Sequence, residues 1–276
     1  MTTDESPSRI DRVFEEASLI NETLKLAPRE AIARHQARAR ESGEAGKSEV
    51  LLTDEDLVKE RTAKGLVQWF EDRLAAINNY PAAERPALEH RGPFKKFYEE
   101  MYSFAHFVRH LYGDREDVIC VLNSKITADR DYDAVIRDYS TNPWAVTHVE
   151  LTTTTFDHDE LRRMRYFLKH GWVPAWGQIN EAGEAELDFM SHVEKLDRTF
   201  LAIERAARRK SNFSHGPNYA LVVSFDDFMW FGTDDDRAAL RTFVNDRLVV
   251  WRLNVATFYV LGISGRTFLS FSVPHR

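Results

Sequence analysis

Cysteine is almost absent from this sequence, and its scarcity excludes two ways of holding a small protein together. Cys120 is the single cysteine in 276 residues, so the chain can form neither an internal disulfide nor a cysteine zinc cage. Cys120 lies inside the apolar run from Val118 to Leu122, which favours a buried core thiol.

Long apolar runs and an excess of positive charge are also missing. No stretch approaches the roughly 20 apolar residues that a membrane span needs, and the first residues, MTTDESPSRIDRVFEE, contain no apolar signal core. We therefore expect a soluble, cytoplasmic protein with no membrane partner. Lys and Arg total 37 against 44 Asp and Glu, which gives a formal net charge of -7. This balance argues against a strongly basic nucleic-acid coat but is compatible with a local basic groove.

The motifs of several common enzyme classes do not occur. The Gly-Lys pair at Gly46-Lys47 follows no predicted strand, so it does not indicate a phosphate-binding loop. The patterns G-x-G-x-x-G, G-x-S-x-G and H-E-x-x-H are missing. Nothing in the sequence indicates a Ser-His-Asp triad.

The sequence divides into three predicted segments. Residues 1–50 are polar, and we expect them to be mobile and removable with little loss of stability. Residues 51–92 are interpreted as a helical extension, because Thr53 resembles an N-cap and an apolar stripe from Leu57 to Ile77 follows at helical spacing. Residues 93–276 form the predicted main domain.

The main domain alternates helices and strands, which is typical of an α/β or α+β fold. A long helix is predicted between the second strand of a hairpin and a fully buried strand, and such a crossover permits parallel pairing. The predicted core of the sheet is Cys120, Val135, Val149, Leu151, Leu221 and Val223. The predicted helices cover residues 93–113, 160–169, 184–210 and 234–250, and the predicted strands cover residues 117–122, 132–136, 146–152, 218–225, 258–264 and 268–273.

The predicted hairpin carries the chemistry. Its two strands are separated by the turn dipeptide Asn142-Pro143, and they carry one acid each, Asp133 and Glu150. If the strands pair, these carboxylates can converge within about 6 Å of each other and hold a divalent cation through hard oxygen ligands. The alternative is an ordinary hairpin with solvated acids.

Other charged residues lie in the predicted helices. Glu99 and Glu100 are either an exposed pair or include one acid that points toward the hairpin carboxylates. Arg208, Arg209 and Lys210 end the long helix, where cations already suit the helix dipole. A candidate basic cleft combines them with Arg162, Arg163 and Arg165.

In this order of elements the chain resembles the PD-(D/E)XK nuclease-like superfamily, over about residues 93–231. The resemblance is carried by YDAVI, HVELTTT, RMRYFLKHGWVPAWGQI, ERAARRKSNF and NYALVVSF. It is closer to the uncharacterised bacterial branches than to a named restriction enzyme. It implies a restriction-endonuclease-like α/β core of a helix, a three-stranded meander, a helix and a further strand, here with added N-terminal helices and C-terminal strands.

The resemblance also implies a metal site. Asp133 and Glu150 would bind Mg²⁺ or Mn²⁺, and Glu99 or Glu100 would match an acid that some members carry on the first helix. The family's lysine, two residues after the glutamate, is replaced here by a threonine.

Because of this replacement, the sequence does not decide which residue supplies the catalytic positive charge. Thr152 stands in the lysine position and offers only a hydroxyl hydrogen bond. Lys210 or Arg209 could supply the charge from the next helix, as some members do.

Three functions are compatible with the sequence. The first is a magnesium-dependent endonuclease acting on DNA. The second is a catalytically degenerate member that binds nucleic acid or a protein partner. The third is an unrelated α/β protein whose acids are structural. Each of these functions is compatible with a homodimer.

Overall fold

A computed structural model describes residues 52–79, 92–123, 132–154, 178–180, 182–186, 190–211, 218–227, 231–249 and 253–273, with positions 162, 166 and 170. The chain divides into two compact units, Met1–Ser48 with Leu161–Asp188 and Glu49–Glu160 with Phe189–Arg276. The predictions for residues 1–50, Arg163 and Arg165 fall outside the described residues. Within the ranges given above, no helix has both the length and the apolar character needed to cross a membrane.

The helices and strands follow the predicted alternation. In chain order they are α1 (Asp54–Val58), β1 (Arg61–Thr62), α2 (Ala63–Asn79), α3 (Pro93–Lys96, the π-helical Phe97–Met101 and Tyr102–Tyr112), β2 (Val118–Leu122), β3 (Ala134–Asp138), β4 (Ala145–Thr153), β5 (Gln178–Ile179), β6 (Ala185–Glu186), α4 (His192–Ser211), β7 (Tyr219–Phe225), α5 (Asp234–Val244, followed by the π-helical Asn245–Val249), β8 (Thr257–Gly262) and β9 (Phe268–Ser272).

A seven-stranded mixed sheet in the order β1-β2-β3-β4-β7-β8-β9 is the frame of the larger unit. Strands β1 to β4 pair antiparallel, β4 and β8 both pair parallel with β7, and β9 returns antiparallel to β8. Helix α4 connects the parallel strands β4 and β7 and packs on both of them. The mixed α/β class and the predicted crossover are therefore confirmed.

Apolar side chains are buried on both faces of this sheet. Leu221 and Val222 are neighbours in β7 and point to opposite faces. Val222 packs with the residues of α2 and α3, whereas Leu221 packs with the residues of α4 and α5. The predicted core residues Cys120, Val135, Val149, Leu151, Leu221 and Val223 are all buried, which confirms that prediction.

The interpretation of residues 53–78 as one helix is wrong. The chain is extended at Arg61 and Thr62, which pair with β2 as an edge strand. The Thr62 hydroxyl then accepts a hydrogen bond from the Gly65 amide at 3.0 Å and caps a second helix. Residues 59–62, KERT, interrupt the apolar stripe, but polar residues are also typical of the exposed face of a helix, so the pattern did not predict the break.

The predicted start of the long helix at Glu184 is also wrong. Glu184 follows a turn in which Gly183 has φ 79°, and its amide donates to Asn180 Oδ1 at 2.9 Å. Helix α4 begins only at a capping box, in which Glu194 accepts from the Ser191 amide at 2.7 Å and Ser191 Oγ accepts from the Glu194 amide at 3.3 Å.

Candidate functional site

Asp133 lies at the point where β3 and β4 separate. Its amide donates to the Val149 carbonyl at 2.9 Å, and its carboxylate Oδ2 accepts from the Leu151 amide at 2.8 Å. The side chain thus takes the place of the next backbone acceptor in the ladder. Since the Leu151 nitrogen is bonded to the carbonyl carbon of Glu150, the Asp133 carboxylate lies beside the Glu150 peptide. The expected separation of the two carboxylates within about 6 Å stays a prediction.

Glu150 is a buried acid with a charged partner. Its residue is 6% exposed, and Lys210 Nζ donates to its Oε1. Val149 and Leu151 point into the cluster formed with α2 and α3, so Glu150 between them faces α4. A carboxylate at such a buried position is tolerated when an opposite charge pairs with it.

Thr152 lies on the same face of β4, two residues further along. It is buried, and its hydroxyl accepts a hydrogen bond from Arg209 Nη2 at 3.3 Å. Arg209 and Lys210 are consecutive residues of α4. The structure therefore brings together one acid, one hydroxyl and two cations that sequence analysis had singled out separately.

The two acids of α3 differ in their surroundings. Both lie in the π-helical turn Phe97–Met101, inside the helix predicted over residues 93–113. Glu99 is exposed, whereas the Glu100 side chain is 12% exposed and lies 3.8 Å from Lys96 Nζ. Glu100 is therefore the more buried acid of this pair, and Lys96 links it to Asn123 at the end of β2.

Asn123 and Lys96 are two further residues of the site that sequence analysis missed. Asn123 follows β2, its amide donates to the Asp133 carbonyl at 2.7 Å, and its Nδ2 donates to the Tyr132 carbonyl at 3.1 Å. Lys96 Nζ donates in turn to the Asn123 carbonyl. These bonds hold Asp133 in position from the neighbouring strand. The only sequence signal was an Asn directly after a buried strand.

Arg208, another member of the predicted basic cleft, has its own acidic partner. Arg208 forms an ion pair with the buried Glu204, with a shortest separation of 2.6 Å, and Arg247 approaches the same carboxylate at 3.4 Å. Arg162 belongs to the other compact unit.

The donor set limits which metal ion could be held. Within the described part of the chain, no group of three or more His, Cys, Asp or Glu residues is arranged to hold a metal ion. Asp133 and Glu150 together offer two carboxylates. Mg²⁺ is commonly held by one or two carboxylates together with waters and substrate phosphates, and the convergence of Asp133 and Glu150 that such a site needs stays a prediction.

Comparison of the chain with protein-family models, with curated proteins and with solved structures finds no match.

Proposed function

We propose that this protein is a metal-dependent phosphodiesterase that cleaves DNA through Asp133 and Glu150. The observation that carries the proposal is the pair of cations on α4, with Lys210 on the Glu150 carboxylate and Arg209 on the Thr152 hydroxyl. They stand beside the position where PD-(D/E)XK nuclease-like proteins carry their lysine.

The order of elements also supports the proposal. Helix α3 precedes an antiparallel meander of β2, β3 and β4, and α4 then leads to β7, which is parallel to β4. The superfamily core has the same succession of a helix, three strands, a helix and a further strand.

Each residue has a defined role in this proposal. Asp133 and Glu150 would hold Mg²⁺ or Mn²⁺, and among the described residues neither Glu99 nor Glu100 is grouped with them as a third ligand. The bound ion would polarise the scissile phosphate and lower the pKa of a water molecule. Lys210 and Arg209 place positive charge where negative charge develops on the phosphoryl oxygens, and Thr152 orients Arg209 without adding charge.

A second function is favoured by the same ion pair. Lys210 neutralises Glu150, and the Asp133 carboxylate satisfies a backbone amide, which are also the roles of a structural ion pair and a strand cap. A catalytically degenerate protein of this fold would then bind nucleic acid or a protein partner through its surface.

A nuclease assay on single-stranded, double-stranded and flap DNA, with Mg²⁺ and with Mn²⁺, separates the two functions. We expect metal-dependent cleavage that is lost in Asp133→Ala and Glu150→Ala and slowed in Lys210→Ala. Thr152→Lys restores the usual charge and should retain or raise the rate. Glu116→Ala is the matched control, since Glu116 forms an exposed surface pair with Lys64.

The outcomes of this assay are distinct. Cleavage that survives both carboxylate substitutions would place the chemistry elsewhere. No cleavage by the wild-type protein or by Thr152→Lys would favour the degenerate binding protein. Circular dichroism of Glu150→Gln, which keeps the side-chain size, would show whether a loss of activity reflects a loss of folding.

A further inference from the structure

Three aromatic rings lie beside the two acids, and we call Tyr132, His148 and Tyr219 the aromatic cluster. Tyr132 stacks on His148 with ring centroids 4.4 Å apart and an interplanar angle of 19°. Tyr219 meets His148 edge-on at 4.9 Å and 87°, and its centroid lies 6.3 Å from that of Tyr132. All three side chains are half-buried.

The backbone fixes where this cluster lies. His148 precedes Glu150 by two residues of β4, so both side chains point to the same face about 7 Å apart along the strand. Tyr219 is the partner of His148 in β7. Tyr132 is joined directly to Asp133, and Asn123 holds its carbonyl. The cluster therefore borders the acids on the face that also holds Lys210.

The chemistry of these rings suits a partly wet surface. Each ring combines a flat apolar face with a polar group, a combination typical of sites that are only partly dry. Flat aromatic rings beside positive charge bind single-stranded nucleic acid, because the bases stack on the rings and the cations attract the phosphates. Two cations lie on this face of β4, Lys210 on the Glu150 carboxylate and Arg209 on the Thr152 hydroxyl.

We infer that the aromatic cluster is a base-stacking subsite, and that it selects single-stranded or frayed DNA for the proposed phosphodiesterase. The inference rests on the proposed function. A base in a duplex already stacks on its neighbours and must leave the helix before it can stack on a side chain. An unpaired base next to the scissile phosphate can stack on Tyr132 without that cost.

The test is a binding measurement that needs no cleavage. A short single strand carrying the fluorescent adenine analogue 2-aminopurine is titrated with the protein in Ca²⁺, and stacking quenches the fluorescence. Tyr132→Leu keeps apolar bulk but loses the flat face, so its Kd should rise about 5- to 150-fold. Tyr132→Phe keeps the ring and should change the Kd less than about twofold. Duplex affinity should not respond to either substitution.

Tyr139→Leu is the matched control. Tyr139 is an exposed aromatic residue that stacks on Trp144 at the turn between β3 and β4, away from the acids. An equal loss of single-strand affinity in Tyr132→Leu and Tyr139→Leu would overturn the subsite, as would unchanged affinity and quenching in Tyr132→Leu. Thermal unfolding of each variant checks that the fold is retained. If Tyr132→Leu is unstable, a rise in Kd of more than about fivefold in Tyr132→Phe, which keeps the ring, would overturn the subsite by itself.

Failure of the subsite and failure of the proposed function give different results. Cleavage of single-stranded and duplex DNA with unchanged kcat/KM in Tyr132→Leu would keep the phosphodiesterase and overturn the subsite. Ring-dependent quenching without cleavage in either metal would remove the phosphodiesterase and support the subsite as part of a binding protein.

Discussion

Asp236 is a buried carboxylate whose charge is stabilised by hydrogen bonds. Burial alone would raise its pKa, but hydrogen bonds from Thr233, His192 and Gly232 outweigh burial and lower the pKa to about 2. Its Oδ1 lies 2.8 Å from His192 Nε2, and its Oδ2 accepts from the Gly232 and Thr233 amides at 3.1 and 3.0 Å. Asp236 thereby fixes the start of α5 and connects it to the first turn of α4.

Stability should therefore depend on pH in the acid range. The folded pKa of about 2 is below the ordinary value of 3.8, so the stabilisation is complete above the ordinary value and is lost as pH falls through the folded one. Asp236→Asn should flatten this dependence and lower the free energy of unfolding at neutral pH by about 1–2 kcal/mol. Urea unfolding at a series of pH values measures both effects. Asp235→Asn, an exposed neighbour, is the control and should retain the dependence.

His106 should make the stability of the protein depend on pH in a second range. Burial is the main cause that lowers its pKa to about 4, and the nearby charges of Arg109 and His110 add to it. The ring packs against Phe70 and Tyr102, and its Nδ1 has no hydrogen-bond partner within the described ranges. In the folded protein this imidazole is therefore neutral at pH 7.

The midpoint of thermal unfolding should fall as the pH drops from about 6.5 toward about 4. The unfolded chain binds a proton at His106 in this range whereas the folded chain does not, so stability is lost as pH falls. His106→Phe, which keeps a flat ring in the same space, should make the midpoint less dependent on pH in this range. An unchanged dependence in this variant would assign the effect to other groups.

Among the secondary-structure elements, β8 ends at Gly262, where there is no room for a larger residue. A Cβ at Gly262 would lie 2.0 Å from Asp227 Oδ2. The buried Asp227 carboxylate accepts from the Ser264 amide and from its hydroxyl, both at 2.7 Å. Glycine at this position therefore lets Asp227 close the turn that leads into β9.

Gly262→Ala should destabilise the protein by about 1–3 kcal/mol, because the added methyl group must displace a buried, hydrogen-bonded carboxylate. Gly232→Ala is the matched control, since a Cβ there meets nothing within 4 Å. Guanidinium unfolding of the two variants should give free energies of unfolding that differ by that amount. Equal midpoints would show that Asp227 can move aside without cost.

The elements that sequence analysis predicted well are those whose signal is local. The run NYALVVSF predicted β7, because a strand buried on both faces is apolar at nearly every position. β1 gave no such signal, since Arg61 and Thr62 are polar and become a strand only by pairing with β2. The capping box of Ser191 and Glu194 was present in the sequence, but the apolar stripe that precedes it extended the predicted helix too far.

The residues of the candidate site also differ in whether the sequence could predict them. Asp133 and Glu150 could be selected from sequence because they lie in two β-like runs on either side of the turn dipeptide Asn142-Pro143. The contact between Lys96 and Asn123 could not, since it joins residues 27 positions apart through the packing of α3 against the sheet. Lys210 was one of two candidates for the cation, and only the fold shows that it reaches Glu150 while Arg209 reaches Thr152.

At the scale of the whole molecule, β7 joins the two apolar clusters. Val222 belongs to the cluster of α2 and α3, Leu221 and Val223 belong to the cluster of α4 and α5, and the strand pairs on both edges. Neither cluster is complete without it. A fragment that ends at Ser211 should therefore be cleaved rapidly in limited proteolysis, whereas the full chain should give a stable core. A resistant fragment would show that β1 to β4 fold independently.

The position of β7 in the sheet also matters during synthesis. Strands β1 to β4 leave the ribosome before β7, and residues 154–218 must be made in between. At ordinary translation rates this takes on the order of several seconds. During that interval the edge of β4 that later pairs with β7 carries unpaired backbone groups beside apolar side chains, and such an edge invites pairing with other chains. Until β7 is made, this edge of β4 is therefore where the nascent chain is most open to pairing with another chain.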